Sequence, residues 1–273
     1  MYPILWNTFN VTSGNVSEFR QGNWDRITVS KIVVVHRILK LGYNVVFSDV
    51  DVSIVEDPMH FFLNPPFDYM HSDNAICVNQ KMFKLTNFVE GNTGFYYMKS
   101  NSNAIRLYDR FLRSINISNP SAHDQILFWE FVRHPVNMQH FQSEPCPDIE
   151  KTIGYSRYTR SSTRRSAGVT FQWARAASHL KESDLVLPSS DEMVYSCHLN
   201  NCQFAPAAPR SHKRFLPYLQ ANGNKTFYVA HSNYVQGPEK KVMLMEHGFW
   251  LATQTADGGW GGVCKSFQPN YAD

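Results

Sequence analysis

No apolar run in this 273-residue chain approaches the roughly 18 residues that cross a bilayer. The opening MYPILWNTFN has no basic start of the kind a signal peptide carries, so a soluble chain is expected. Charge of one sign is also scarce. Twenty-six Lys and Arg stand against 23 Asp and Glu, and a net charge of +3 is too small to point to nucleic acid or an anionic membrane surface as partner. The five cysteines, Cys77, Cys146, Cys197, Cys202 and Cys264, form no CxxC pair and have no histidine at zinc-ligand spacing, which argues against a structural zinc site. Repeats and biased tracts are missing too.

What the chain does have is apolar mass. With 43% hydrophobic and 14% aromatic residues it can bury a substantial core, and its length suits one large domain over residues 1–273. Four sequons, at Asn10, Asn15, Asn116 and Asn224, fit a secretory protein but carry slight weight, because composition alone supplies about three.

From Trp24 to Leu41 the residues Ile27, Val34, Ile38 and Leu41 recur at helical spacing, and Gly42 is placed to end the helix. The run Asn44 to Phe47 then reads as a strand covered on both faces, stopping abruptly at Ser48-Asp49-Val50-Asp51. A second strand is expected near Gly94 to Met98, followed by a helix with Ile105, Tyr108, Leu112 and Ile115 on one face. Another helix starts near Asp124, and residues 145–166, rich in Arg, Ser and Thr without periodicity, read as a mobile loop. Thr226 to Ala230 reads as a short strand, and Pro238 opens a helix closed by Gly248. Helices alternating with buried strands point to an α/β fold.

Chemistry concentrates after the first strand. Asp49 and Asp51 at i and i+2 share a face if the chain is extended, and in open α/β sheets ligands gather at the carboxyl ends of strands. Two hard carboxylates suit Mg²⁺ or Mn²⁺ completed by phosphate oxygens and water, the alternative being a pair of exposed turn aspartates. His231, after a short strand, offers an imidazole nitrogen that Mn²⁺ accepts more readily than Mg²⁺, although a lone histidine there also serves as a hydrogen-bonded structural residue. Gly237 permits close backbone approach where the free N–H groups around Pro238 to Lys240, those of Glu239 and Lys240, can face a diphosphate. Lys240 or Lys241 is placed to neutralise it, unless both are simply solvated. Lys31 points along the apolar stripe of its helix and needs a partner or an escape to water.

Four ordered blocks, FSDVDVSIVEDP, NTGFYYMKS, HDQILFW and HSNYVQGPEKKVMLMEHGFW, resemble the nucleotide-diphospho-sugar transferases of glycosyltransferase family 77 over roughly Phe19 to Leu251, with a weaker match from about Met138 to Pro188. The resemblance implies a GT-A (Rossmann-like) three-layer α/β/α fold with a mostly parallel central sheet. It further implies retaining transfer of xylose, galactose or arabinofuranose from a UDP-sugar to a glycan or glycoprotein acceptor, in the Golgi lumen. Asp49 and Asp51 become the metal and diphosphate motif, His231 a third ligand to Mn²⁺ or Mg²⁺, and Lys240 the clamp on the leaving phosphate. Lys31 is implied to contact donor phosphate or sugar, Asn92 the sugar hydroxyls, Asp124 the donor hydroxyls, and Gln125 the β-face of the anomeric carbon. The family's opening β-α-β segment has no counterpart here, so an N-terminally incomplete domain is expected, with any membrane anchor outside this chain. The rival reading is a non-catalytic glycan-binding protein that keeps the fold; a phosphohydrolase would want more clustered carboxylates for two metals.

Overall fold

The computed structural model describes residues 24–73, 76–78, 81–83, 91–146, 183, 185–189, 191–200, 203–206, 228–233 and 238–246. The chain divides into two compact units, each discontinuous in sequence. The first takes residues 1–45, 64–69 and 98–197, and the second takes residues 46–63, 70–97 and 198–273.

Helix α1, Trp24–Lys40, has an acid in its first turn and Arg37 and Lys40 in its last, both favourable to the helix dipole. It stops at Gly42, whose φ of 90° is open to glycine at no steric cost. Its buried residues are Val29, Ile32, Val33, Val35, His36 and Leu39, whereas Ile27, Val34 and Ile38 are half-buried and Leu41 lies exposed beyond the end. The expected stripe is therefore wrong. Apolar residues cover more than one face of this helix, so spacing alone admits several stripes, and tertiary packing selects among them. The same shift occurs in α2, Ser102–Arg113, which buries Ala104, Leu107, Tyr108 and Phe111, leaving Ile105 and Leu112 half-buried. Asn101 caps α2 by accepting the Ala104 amide at 2.9 Å, a contact worth about 1 kcal/mol.

Helix α3, Asp124–Arg133, is followed by the single turn α4, Pro135–Met138. The first unit's core is aromatic: Phe128 lies edge-on to Tyr69, Tyr108 and Phe111 at centroid distances of 5.8, 5.7 and 5.4 Å. Each such side chain stabilises by roughly 1.5–3 kcal/mol through burial. A disulfide joins Cys146 to Cys197 in this unit.

Five strands form one sheet in the order β1-β6-β3-β8-β7, namely β1 Val45–Ser48, β3 Tyr69–Asp73, β6 Gly91–Met98, β7 Phe141–Pro145 and β8 Val194–His198. β6 runs against its neighbour β1: the Ser100 amide donates to the Asn44 side chain at one end and the Asp49 amide to the Gly94 carbonyl at the other. The eight residues of β6 are all buried, while β1 has only Val45 buried, Val46 and Phe47 half-buried and Ser48 exposed. The strand covered on both faces is thus β6, not the one that leads into the aspartates. β6 starts earlier than expected and takes in Asn92 and Thr93 as well as Gly94, because burial overrides the weak strand propensity of Asn92 and Gly94.

In the second unit β10, Val229–His231, sits between β2, Val52–Ile54, in antiparallel pairing and β9, Phe204–Pro206, in parallel pairing. A two-stranded hairpin, β4 Ile76–Val78 and β5 Lys81–Phe83, and helix α5, Pro238–Glu246, complete the described elements. Phe61 and Phe95 pack on Phe204 at 5.0 and 5.8 Å, and Phe62 stacks on Tyr97 at 5.6 Å, so this unit has its own aromatic core. The fold is mixed α/β, consistent with the GT-A class. Residues 147–166 of the expected loop lie outside the described residues, as do Thr226, Phe227 and Gly248.

Candidate functional site

Asp49 and Asp51 do not lie on an extended segment. The Val52 amide donates to the Asp49 carbonyl at 3.3 Å, so Asp49-Val50-Asp51-Val52 is a tight turn that leaves Val50 fully exposed and both aspartates half-buried. A turn brings the two carboxylates to one side as an extended chain would, by a different route.

Three separate stretches pin this turn. From β6, the Gly94 carbonyl accepts the Asp49 amide at 2.7 Å. After β10, Ser232 donates to the Asp51 carbonyl twice, from its amide at 3.1 Å and its hydroxyl at 2.7 Å. Pairing of β2 with β10 sets His231 opposite Val52, next in sequence to Asp51. His231 Nε2 consequently stands 3.5 Å from Asp51 Oδ1, and Lys240 of α5 bonds to Oδ2 of the same carboxylate. The four charged or ligating residues come from two parts of the chain some 180 residues apart.

Burial on its own would raise the Asp51 carboxyl, but the hydrogen bond and charge of His231, joined by the charge of Lys240, outweigh it and hold Asp51 well below the usual carboxylate range. One ligand atom each from Asp49, Asp51 and His231 falls within 4.8 Å of the others, the geometry of a cation site among the described residues. A hard divalent ion with bonds of about 2.1 Å sets its ligands about 3 Å apart when adjacent and about 4.2 Å apart when opposite, so the side chains would draw together around it. Two carboxylate oxygens and one imidazole nitrogen suit Mn²⁺ better than an all-oxygen ion such as Mg²⁺. The residues present fit the cation.

Asn92 is buried in β6, and its Oδ1 accepts the Gly94 amide at 2.7 Å. Gly237 lies outside the described residues. Lys31, Asp124 and Gln125 belong to the first unit. Lys31 neither points into apolar packing nor escapes to water: its ammonium meets Asp124 Oδ2 at 3.0 Å, and the Asp124 side chain is only 4% exposed. The Asp124 amide reaches the Thr28 hydroxyl at 3.3 Å, which ties α3 to α1. Gln125 is half-buried in the first turn of α3. Sequence reasoning missed Ser232 and Gly94. Each acts through backbone contacts, and only the position of Ser232 directly after His231 hinted at it.

A strand-end turn with two aspartates, a facing histidine and a lysine at the start of a helix gathers groups whose chemistry fits a cation and an anionic ligand. The family model for nucleotide-diphospho-sugar transferases matches residues 6–250, and the chain belongs to that family. Among characterised proteins, UDP-galactose:fucoside alpha-3-galactosyltransferase of Dictyostelium discoideum is 29% identical over 127 residues, which cover 45% of this chain and 18% of that protein. The match thus spans less than a fifth of the relative's length. No solved structure matches the chain.

Proposed function

We propose that this chain transfers a sugar from a UDP-sugar to a hydroxyl of a glycan or glycoprotein acceptor, with retention at the anomeric carbon and dependence on Mn²⁺ or Mg²⁺. The observation that carries the reading is the convergence of Asp49, Asp51 and His231 with Lys240 on the Asp51 carboxylate. Family membership supports a nucleotide-sugar donor, and the name of the Dictyostelium relative puts galactose ahead of xylose and arabinofuranose.

Asp49, Asp51 and His231 would hold the cation. When bound, it supplies positive charge against the diphosphate as the glycosyl–phosphate bond breaks. Lys240 has a flexible arm and moves from Asp51 to the leaving phosphate oxygens, where its charge-assisted hydrogen bonds strengthen as negative charge grows. Amides at the start of α5, with Gly237 before them, face the same oxygens. The acceptor oxygen bonds to the anomeric carbon on the face the phosphate leaves, and the acceptor proton passes to the departing phosphate oxygen. Lys31, Asp124, Gln125 and Asn92 are assigned to the donor sugar by family resemblance. The ammonium of Lys31 beside Asp124 offsets the cost of burying that carboxylate, whose oxygens could accept from a sugar hydroxyl.

A secretory, Golgi-type compartment fits the Cys146–Cys197 disulfide and the exposed sequon at Asn116. Among the described residues no helix is long and apolar enough to cross a membrane.

The test is donor hydrolysis across UDP-galactose, UDP-xylose and UDP-arabinofuranose, with and without Mn²⁺, together with calorimetric binding of UDP. Metal-dependent hydrolysis of one donor is expected, with Asp51→Asn inactive. Metal-dependent UDP binding without turnover of any donor or transfer to any glycan would establish the non-catalytic alternative, and UDP binding indifferent to Mn²⁺ and to Asp51→Asn would refute the site.

A further inference from the structure

Gly94 stands in the interior of β6, where glycine is otherwise a liability: it packs nothing and loses more conformational freedom on folding than any other residue. Its backbone does not ask for glycine, since positive φ among the described glycines belongs to Gly42 alone. The demand is for space. A Cβ built at Gly94 would overlap His231 Cε1 and stand 2.8 Å from His231 Nε2, the nitrogen that faces Asp51. It would also lie 2.8 Å from Asn92 Oδ1. The ring has little room to yield, because His231 is 5% exposed and its backbone is paired with Val52 on one side and Pro206 on the other. Meanwhile the Gly94 carbonyl is the acceptor for the Asp49 amide at 2.7 Å.

We infer that Gly94 is the positioning residue of the cation site: its carbonyl fixes the first aspartate, and its missing side chain is the space in which the imidazole ligand stands. The inference rests on the reading of Asp49, Asp51 and His231 as cation ligands. Glycine at this position therefore serves geometry between two ligands contributed by distant parts of the chain, and any side chain there displaces the imidazole from the place it holds beside Asp51. Asn92 reinforces the arrangement from within the strand, since its Oδ1 takes the Gly94 amide and keeps that residue's backbone in register.

The experiment is a double-mutant cycle on the full chain, read by Mn²⁺ titration calorimetry with thermal unfolding as the control for folding. Gly94→Ala is expected to weaken Mn²⁺ binding roughly 10- to 100-fold, the range for displacing a group that orients a metal ligand. In the His231→Ala background the same change should cost less than about twofold, because the ring it displaces is gone. Equal losses in both backgrounds, or no loss in the first, would overturn the inference. If His231→Ala itself leaves Mn²⁺ affinity unchanged, the cation reading fails and takes this inference with it. Should Gly94→Ala not fold while the double variant does, the clash with the imidazole is shown directly. Failure of both to fold would mean that the core, not the ring, demands the glycine, and would contradict the role assigned here.

Discussion

Two carboxylates in this molecule each sit between two basic side chains, and they do opposite things. Glu192 in the first unit meets Arg106 Nε and Arg110 Nε, both at 3.1 Å. Arg110 is itself locked by Asn137 Oδ1 at 2.6 Å, and Arg106 by Asn103 Oδ1 at 2.8 Å. Asp51 in the second unit meets His231 and Lys240. Its lysine is one-third exposed, its histidine offers a ring nitrogen of the kind metals accept, and a second carboxylate, Asp49, stands in the same cluster. Glu192 is one carboxylate facing two arginines, whereas around Asp51 two carboxylates face one lysine and one imidazole. The first arrangement is a clamp, the second the one we propose as a site. Burial of an acid with bases beside it does not distinguish them, whereas the mobility and identity of the partners do.

The largest effect that bears on this contrast comes from breaking the clamp. Glu192→Ala leaves the buried Arg110 guanidinium without its carboxylate and should lower unfolding free energy by about 3–5 kcal/mol in urea titrations, with Mn²⁺ affinity unchanged in the folded fraction. A loss confined to Mn²⁺ binding would place Glu192 in the functional site instead. Acid offers a second way to pull stability and binding apart. Burial, followed by the neighbouring His198, pushes His71 down to about 3, despite the Ser72 carbonyl that favours its charged form. Between pH 6.5 and 3 the unfolded chain takes up a proton that the native state refuses, so stability falls as pH falls, by about 1.4 kcal/mol per unit. Roughly 2 kcal/mol should disappear between pH 6.5 and pH 5, and His71→Leu should flatten that slope in paired urea titrations. The smallest expected effect sharpens the idea of exchangeable partners: Lys240→Met should weaken UDP binding in the presence of Mn²⁺ roughly tenfold while leaving Mn²⁺ binding without nucleotide equal or tighter. Weaker binding of Mn²⁺ alone would make Lys240 part of the cation's support and not its stand-in.

Much of the Asp51 cluster was legible in the sequence because its members are chemically specific. A pair of aspartates after an apolar run, a histidine after another, and a lysine at a proline-opened helix start narrow the choices without coordinates. The route by which the aspartates converge was not, since a turn and an extended chain can both present i and i+2 together. The helical stripes of α1 and α2 were misplaced for a related reason: Ile32, Val33, Val34 and Val35 offer several apolar faces, and only packing decides which is buried. Asn92 and Gly94 disguised the first half of β6 because neither favours strand, yet both lie buried within it. The Glu192 clamp joins residues 82 and 86 positions apart, and the Cys146–Cys197 bridge spans 51, so neither pairing leaves a local signal. Gly94 is the hardest to read, for its contribution is a gap.

The central claim is that the Asp51 cluster accepts a divalent cation. Its most direct test is Mn²⁺ titration calorimetry of the unaltered chain beside Asp51→Asn, with thermal unfolding run on both. Saturable binding of one equivalent by the unaltered chain, lost in a variant that still unfolds cooperatively, is the predicted result. Equal stoichiometry and affinity in the two proteins would contradict it.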